Sequence, residues 1–261
     1  MNSNPIGIFD SGVGGTTVWK EIHHLLPYES TVYLADSKNA PYGKKTTEEI
    51  LRLSIKNTEK LIDLGAKIIV VACNTATTNA ISSLRANYGI PFIGIEPAIK
   101  PAALESKTKK IGILATKGTI NSWLFHQTSK NFAQGIQIIE VVDEGLVELI
   151  EADKIDSPET RKLLEKSLSS MLQSGVDHIV LGCTHFPYLY DEIKKIVPPD
   201  VKIYDSGNAV ARRVEAVLSE NNLLAPKQSA TSVFYSNSST NTLRNLLYAY
   251  RDEITIKNLD F

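Results

Sequence analysis

Two cysteines, Cys73 and Cys183, are the only thiols in the 261 residues, and both stand in the same local setting. Cys73 follows the apolar run Ile68 to Ala72 and precedes Asn74-Thr75; Cys183 follows Ile179 to Gly182 and precedes Thr184-His185. An apolar run that ends in a polar pair reads as a buried strand turning into a helix, and the carboxyl end of such a strand is where open α/β sheets bind ligands. A thiol there has its thiolate favoured by the helix dipole, which predicts a pKa lowered from about 8.5 toward neutral and a group able to act as a base. The free N–H groups at the same helix start, joined by the Asn74, Thr75 and Thr184 side chains, can hold a carboxylate. Proton transfer and anion binding would then share one spot.

Other readings compete. Free cysteine is most often a small buried hydrophobe. Cys73, Cys183 and His185 also offer three ligands for zinc, although no Cys-x-x-Cys pair anchors such a site. An internal duplication favours the chemical reading. GAKIIVVACNT from Gly65 aligns with GVDHIVLGCTH from Gly175, 110 residues on, and IGIFDSG around Gly7 aligns with IGILATKG around Gly112, 105 residues on. Each copy thus keeps one cysteine at the equivalent place, which predicts two thiols facing each other across a cleft.

Neighbouring residues add candidates. The loop Asp10-Ser11-Gly12-Val13-Gly14-Gly15 predicts close approach of backbone to an anionic ligand, or else a plain tight turn from strand to helix. Asp10 either orients a thiol or an ammonium group, or caps the helix. His185, two residues after Cys183, is suited to assist proton transfer at that thiol. His23, His24, His126 and His178 have no such setting and read as structural.

The elements that must position these residues follow from alternating short apolar runs and helix-period segments, which predict an α/β architecture with mostly parallel strands. Strands are predicted at residues 6–9, 31–35, 67–72, 92–95, 110–115, 136–142, 178–182 and 201–204. Thr46 with Glu49 marks a capping box, Ile50, Leu53, Leu61 and Leu64 make the apolar stripe, and Gly65 terminates that helix. Ser157-Pro158 opens its counterpart, with Leu164, Leu168 and Met171 inside and Gly175 at its end.

Composition sets outer bounds. With 28 basic and 29 acidic residues the formal charge is −1, and the scattered basic residues leave no nucleic-acid footprint. No run approaches the ~18 apolar residues of a membrane span. The polar Met1 to Pro5 is no signal peptide, so a cytoplasmic protein is expected, where a structural disulfide is disfavoured.

The motifs GIFDSGVGG from Gly7, ADSKNAPYG from Ala35, ACNTAT from Ala72 and LGCTHFPYL from Leu181, in their order and spacing, resemble those of bacterial glutamate racemases. The Tyr204-Asp205-Ser206 segment extends the match along essentially the whole chain. Thr16 stands where that family commonly has leucine, a change expected to touch packing and not chemistry. The resemblance implies two similar α/β domains, residues 1–98 with 208–261 and residues 99–207, related by a pseudo-twofold axis with the active site between them. It implies interconversion of L- and D-glutamate with neither pyridoxal phosphate nor metal, hence no cofactor, supplying D-glutamate for peptidoglycan. By analogy Cys73 takes the α-proton from D-glutamate and Cys183 from L-glutamate, assisted by Asp10 and His185 respectively. Ser11, Tyr42, Gly43, Asn74, Thr75 and Thr184 match substrate-holding positions, as do Asp10 and His185; Thr116 and Thr119, in the second-half counterpart of the Asp10 loop, join them. The acidic residue near the second thiol falls in LVELIE, as Glu148 or alternatively Glu151. A homodimer is implied, without nucleic acid or membrane. An aspartate racemase of the same superfamily and a two-lobed amino-acid-binding protein are the alternatives.

Overall fold

The computed structural model describes residues 2–227 and 230–261. Among the described residues there are ten strands: β1 (Ile6–Asp10), β2 (Thr31–Ala35), β3 (Ile68–Val71), β4 (Phe92–Gly94), β5 (Lys110–Ala115), β6 (Gln137–Val142), β7 (His178–Gly182), β8 (Lys202–Tyr204), β9 (Ser232–Ser236) and β10 (Ile254–Asn258). They form a six-stranded sheet, β10-β9-β2-β1-β3-β4, and a four-stranded sheet, β6-β5-β7-β8. Every pairing is parallel. β2-β1-β3-β4 and β6-β5-β7-β8 are one and the same order, each pairing the strand that ends at a cysteine, β3 or β7, with the Ile-Gly-Ile strand of its own sheet. The fold is therefore α/β with two parallel sheets, and the repeat seen in the sequence is a repeat of topology.

The central strands are buried on both faces, as helix-covered parallel sheets require. One large apolar core runs from Ile6, Ile8 and Trp19 under the first sheet to Leu164, Leu168 and Met171 beneath the second. The Thr46–Glu49 capping box closes as predicted, with both hydrogen bonds made, and opens the helix Thr47–Asp63. Ser157 caps the helix Pro158–Gln173 through Thr160 N–H. Gly65 and Gly175, which follow these two helices, both take positive φ, +81° and +76°, the left-handed conformation that glycine adopts without strain.

Sequence reasoning placed eight strands and missed two, β9 and β10. Both are short, flank the sheet beyond β2 and alternate partly buried with exposed or buried residues, so neither carries a continuous apolar run. Among the described residues no helix is long and apolar enough to cross a membrane.

Candidate active site

Each cysteine sits where its strand ends. Cys73, just past β3, is the N-cap of the helix Asn74–Asn87, and its sulfur accepts the Ala76 N–H at 3.4 Å. Its thiol also lies 3.8 Å from Ser11 Oγ. Cys183 follows β7, with its sulfur 3.6 Å from His185 Nδ1. Asp10 ends β1 between them: Oδ1 accepts the Gly12 N–H at 2.8 Å and Oδ2 accepts the Thr184 hydroxyl at 3.0 Å. A continuous set of neighbours, Cys73, Ser11, Asp10, Thr184, Cys183 and His185, thus joins the ends of the two sheets. Both cysteines are free and only 5% and 7% exposed.

The electrostatics depart from the expectation for Cys73. Burial pushes its thiol well above the ordinary range, and the nearby Asp10 carboxylate adds to the effect, while the Ala76 N–H only partly offsets them. The helix start is present, but desolvation of the thiolate outweighs it. Burial also lifts Asp10, to about 6, against the opposing influence of His185 and the Gly12 N–H. For His185 burial opposes protonation, yet its hydrogen bonds to Cys183 and Glu151 overcome this and hold its pKa well above the usual histidine range. Protonation of the His185 ring is therefore favoured where it faces Cys183.

The acidic partner of His185 is Glu151, whose Oε1 lies 2.6 Å from His185 Nε2. Glu148 points elsewhere, to an ion pair with Lys44 at the protein surface. Both ride the helix Leu146–Glu151 three residues apart, so the sequence could not separate them. Glu151 also accepts the Val13 N–H at 2.7 Å and the Ser37 hydroxyl at 3.2 Å. The backbone of the glycine loop does approach an anion, and that anion is Glu151 itself. A methyl group on Gly12 would stand 1.9 Å from Glu151 Oε1, and one on Gly14 would stand 2.2 Å from His185 Nδ1. Glycine is required at both places because side chains from the second half fill the space.

The remaining candidates divide into two groups. The Thr75 hydroxyl reaches across the two halves to Thr116 (2.8 Å) and Thr119 (3.3 Å), which are themselves 3.1 Å apart within the second half. Gly43 packs directly on Thr116. Tyr42 commits its hydroxyl to Asp36 (2.5 Å) and Asn57 (3.0 Å), so that side chain holds its own loop in place. Asn74 is buried with neither its Oδ1 nor its Nδ2 hydrogen-bonded. An unsatisfied buried amide is costly, and one beside a thiol marks a place where a polar ligand would complete the bonding. Thr16, expected to affect packing alone, makes a 2.5 Å hydrogen bond to Tyr188 in the other half. Sequence reasoning also missed Ser37 and Asp36, single polar residues at loop positions with no periodicity to mark them.

The family model described as Asp/Glu/Hydantoin racemase matches residues 9–214, a span that holds both cysteines, Asp10, Glu151 and His185. The chain belongs to this racemase family. Among its relatives, the glutamate racemase of Herpetosiphon aurantiacus is 42% identical over 233 residues, covering 89% of this chain and 92% of that one. The crystal structure of a Bacillus anthracis glutamate racemase isoform is similar at 29% identity with a TM-score of 0.88, covering 100% of this chain and 99% of that one. The Escherichia coli glutamate racemase, solved with L-glutamate and the activator UDP-MurNAc-ala, is similar at 34% identity with a TM-score of 0.85 and 98% of each chain covered. In this racemase-family chain the raised Asp10 leads to a definite expectation. Its folded pKa of about 6 lies above the unfolded value of 3.8, so the folded state binds more protons between those values. Asp10 therefore favours folding below the unfolded pKa, and that contribution is lost as pH rises through 6. Asp10→Asn should gain stability relative to the parent by about 2–3 kcal/mol between pH 4 and pH 7.5. Paired denaturant titrations at the two pH values check it, and a pH-independent difference refutes it.

Proposed function

We propose that the protein interconverts L- and D-glutamate by a two-base mechanism in which Cys73 and Cys183 serve the two faces of the α-carbon. One observation carries the reading: the chain's two thiols, one from each repeat, converge with Asp10, Ser11, Thr184 and His185 in one buried cluster. Inverting a carbon by proton exchange needs a base on one side and an acid on the other. Cys183 beside His185, whose protonation its partners favour, suits the base that takes the proton from L-glutamate, and Cys73, whose thiol form burial favours, suits the acid that returns one to the opposite face. In the reverse direction the roles exchange, with the Asp10 carboxylate assisting Cys73. Glu151 fixes the His185 ring through Nε2. Asn74, the Thr75–Thr116–Thr119 hydroxyls, and the backbone at Ser11 and Gly43 are suited to hold the substrate's polar groups, with fixed donors stabilising the charge that develops at the carboxylate.

Because both thiols are buried, substrate must enter by relative movement of residues 1–98 with 208–261 against residues 99–207, and closure then excludes water. The product fits a role in supplying D-glutamate for peptidoglycan in the cytoplasm, and a homodimer is the form implied by the resemblance to glutamate racemases. The test is incubation with D-glutamate in deuterium oxide. Loss of optical rotation with one deuterium gained at Cα is expected. Faster turnover of D-aspartate than of D-glutamate would overturn the choice of substrate, and binding without exchange would overturn the chemistry.

A further inference from the structure

The two halves meet at one place through glycines. Gly43 lies in the 3-10 turn Tyr42–Lys44 and Gly118 in the short helix Lys117–Ile120. A methyl group on Gly118 would stand 2.8 Å from Thr75 Cγ2 and 3.4 Å from Gly43 Cα, and one on Gly43 would stand 2.6 Å from Thr116 Cβ. This seam closes the threonine cluster on one side. On its other side lies a crevice of about 300 Å³ whose walls come from both halves: Lys44, Lys45, Thr46 and Asn79 from the first, Lys117 and Asn121 from the second.

The charge of this crevice is one-sided. Three lysines line it and no lining residue is acidic. The Lys44 ammonium is paired with Glu148. Lys45 and Lys117 form no ion pair among the described residues. Glu49, which feels the charge of Lys45, is turned back to accept the Thr46 N–H at 3.0 Å. In a chain whose net charge is −1, two lysines without an ion pair lining one concave space are a local departure, and a cleft lined by one sign of charge focuses its field. Its volume suits a ligand of roughly ten to fifteen non-hydrogen atoms.

We propose that this crevice binds a small polyvalent anion, carrying phosphate or several carboxylates, which links Lys45 of one half to Lys117 of the other and holds the Gly43–Gly118 seam shut. A ligand that touches both halves binds the closed form better than the open one, so it shifts the population toward closure by its difference in affinity. The crevice contains neither thiol and shares only Gly43 with the proposed substrate-holding residues, and the inference does not depend on which amino acid is racemised.

The experiment uses the full chain, titrated separately with inorganic phosphate and with citrate at ionic strength matched by chloride, while backbone amide resonances are followed by NMR. Saturable shifts at Gly43, Thr46, Gly118 and Asn121 are expected for at least one anion; stronger binding of phosphate or of citrate identifies the class. In Lys45→Gln/Lys117→Gln the affinity should fall about tenfold or more, with an unchanged melting temperature. Alkylation of Cys73 and Cys183 by neutral iodoacetamide should slow severalfold in the saturating anion, and that slowing should vanish in the double variant. Shifts confined to the thiol cluster, binding indifferent to the two substitutions, or alkylation unaffected by a bound anion would overturn the proposal. Should the deuterium experiment fail while these results hold, the proposed reaction falls and the anion site stands.

Discussion

Cys73→Ala and Cys183→Ala are each expected to lower glutamate turnover by about 10³-fold or more in both directions, with substrate binding retained. General acid–base catalysis contributes about 10²–10⁴-fold, and here no other group stands in for either thiol. Ser11 and Thr184 carry hydroxyls far less acidic than a thiol, and His185 is committed on both ring nitrogens, to Cys183 and to Glu151. In the proposed mechanism each cysteine serves one face, so losing either should halt net inversion, and the double variant should be little worse than the single ones, as for groups that act as a unit. Steady-state rates in both directions, with calorimetric binding of glutamate to each variant, check this. A single variant keeping a tenth of the parent's turnover would remove the two-base mechanism.

Lys67→Met is expected to be the most destabilising single substitution outside the site, by about 3–5 kcal/mol. Lys67 Nζ lies 2.6 Å from Glu29 Oε2 and 2.7 Å from the Asn2 carbonyl, and the side chains of the pair are 1% and 3% exposed. Glu29 Oε1 also accepts the Ala225 N–H at 2.7 Å. Removing the lysine leaves a carboxylate desolvated with one backbone partner. The comparison Glu29→Gln/Lys67→Met should recover part of the loss, with a coupling of about 1–3 kcal/mol. Guanidinium unfolding midpoints decide it. A loss below about 1 kcal/mol would mean that water reaches the pair after the substitution.

The sequence made the repeat, the strand ends and the thiols legible because each is written locally. β2, β5 and β7 fall on the residues their apolar runs predicted, since a strand buried on both faces leaves no polar interruption to blur its ends. What stayed hidden depends on where side chains point across the interior. Glu148 and Glu151 are the same residue type on one helix, and only the three-dimensional packing sends the latter onto His185. The glycines of the Asp10 loop allow two readings, a tight turn or a close approach to an anionic ligand, and the group that packs there is a side chain from 138 residues away, as the Val13–Glu151 hydrogen bond measures. The depressed thiol pKa expected for Cys73 failed because the helix dipole is a local property and desolvation is a global one.

The strand order also bears on how the molecule is made. The four-stranded sheet is built from one uninterrupted stretch, residues 110–204, whereas the six-stranded sheet waits for β9 and β10 to cover the edge of β2. A nascent chain on the ribosome can therefore complete its second half while the first still presents β2 as a bare hydrogen-bonding edge. Until residues 232–258 emerge, that edge is open to other nascent chains, and the interval between the two events is when a chaperone would have the most to shield.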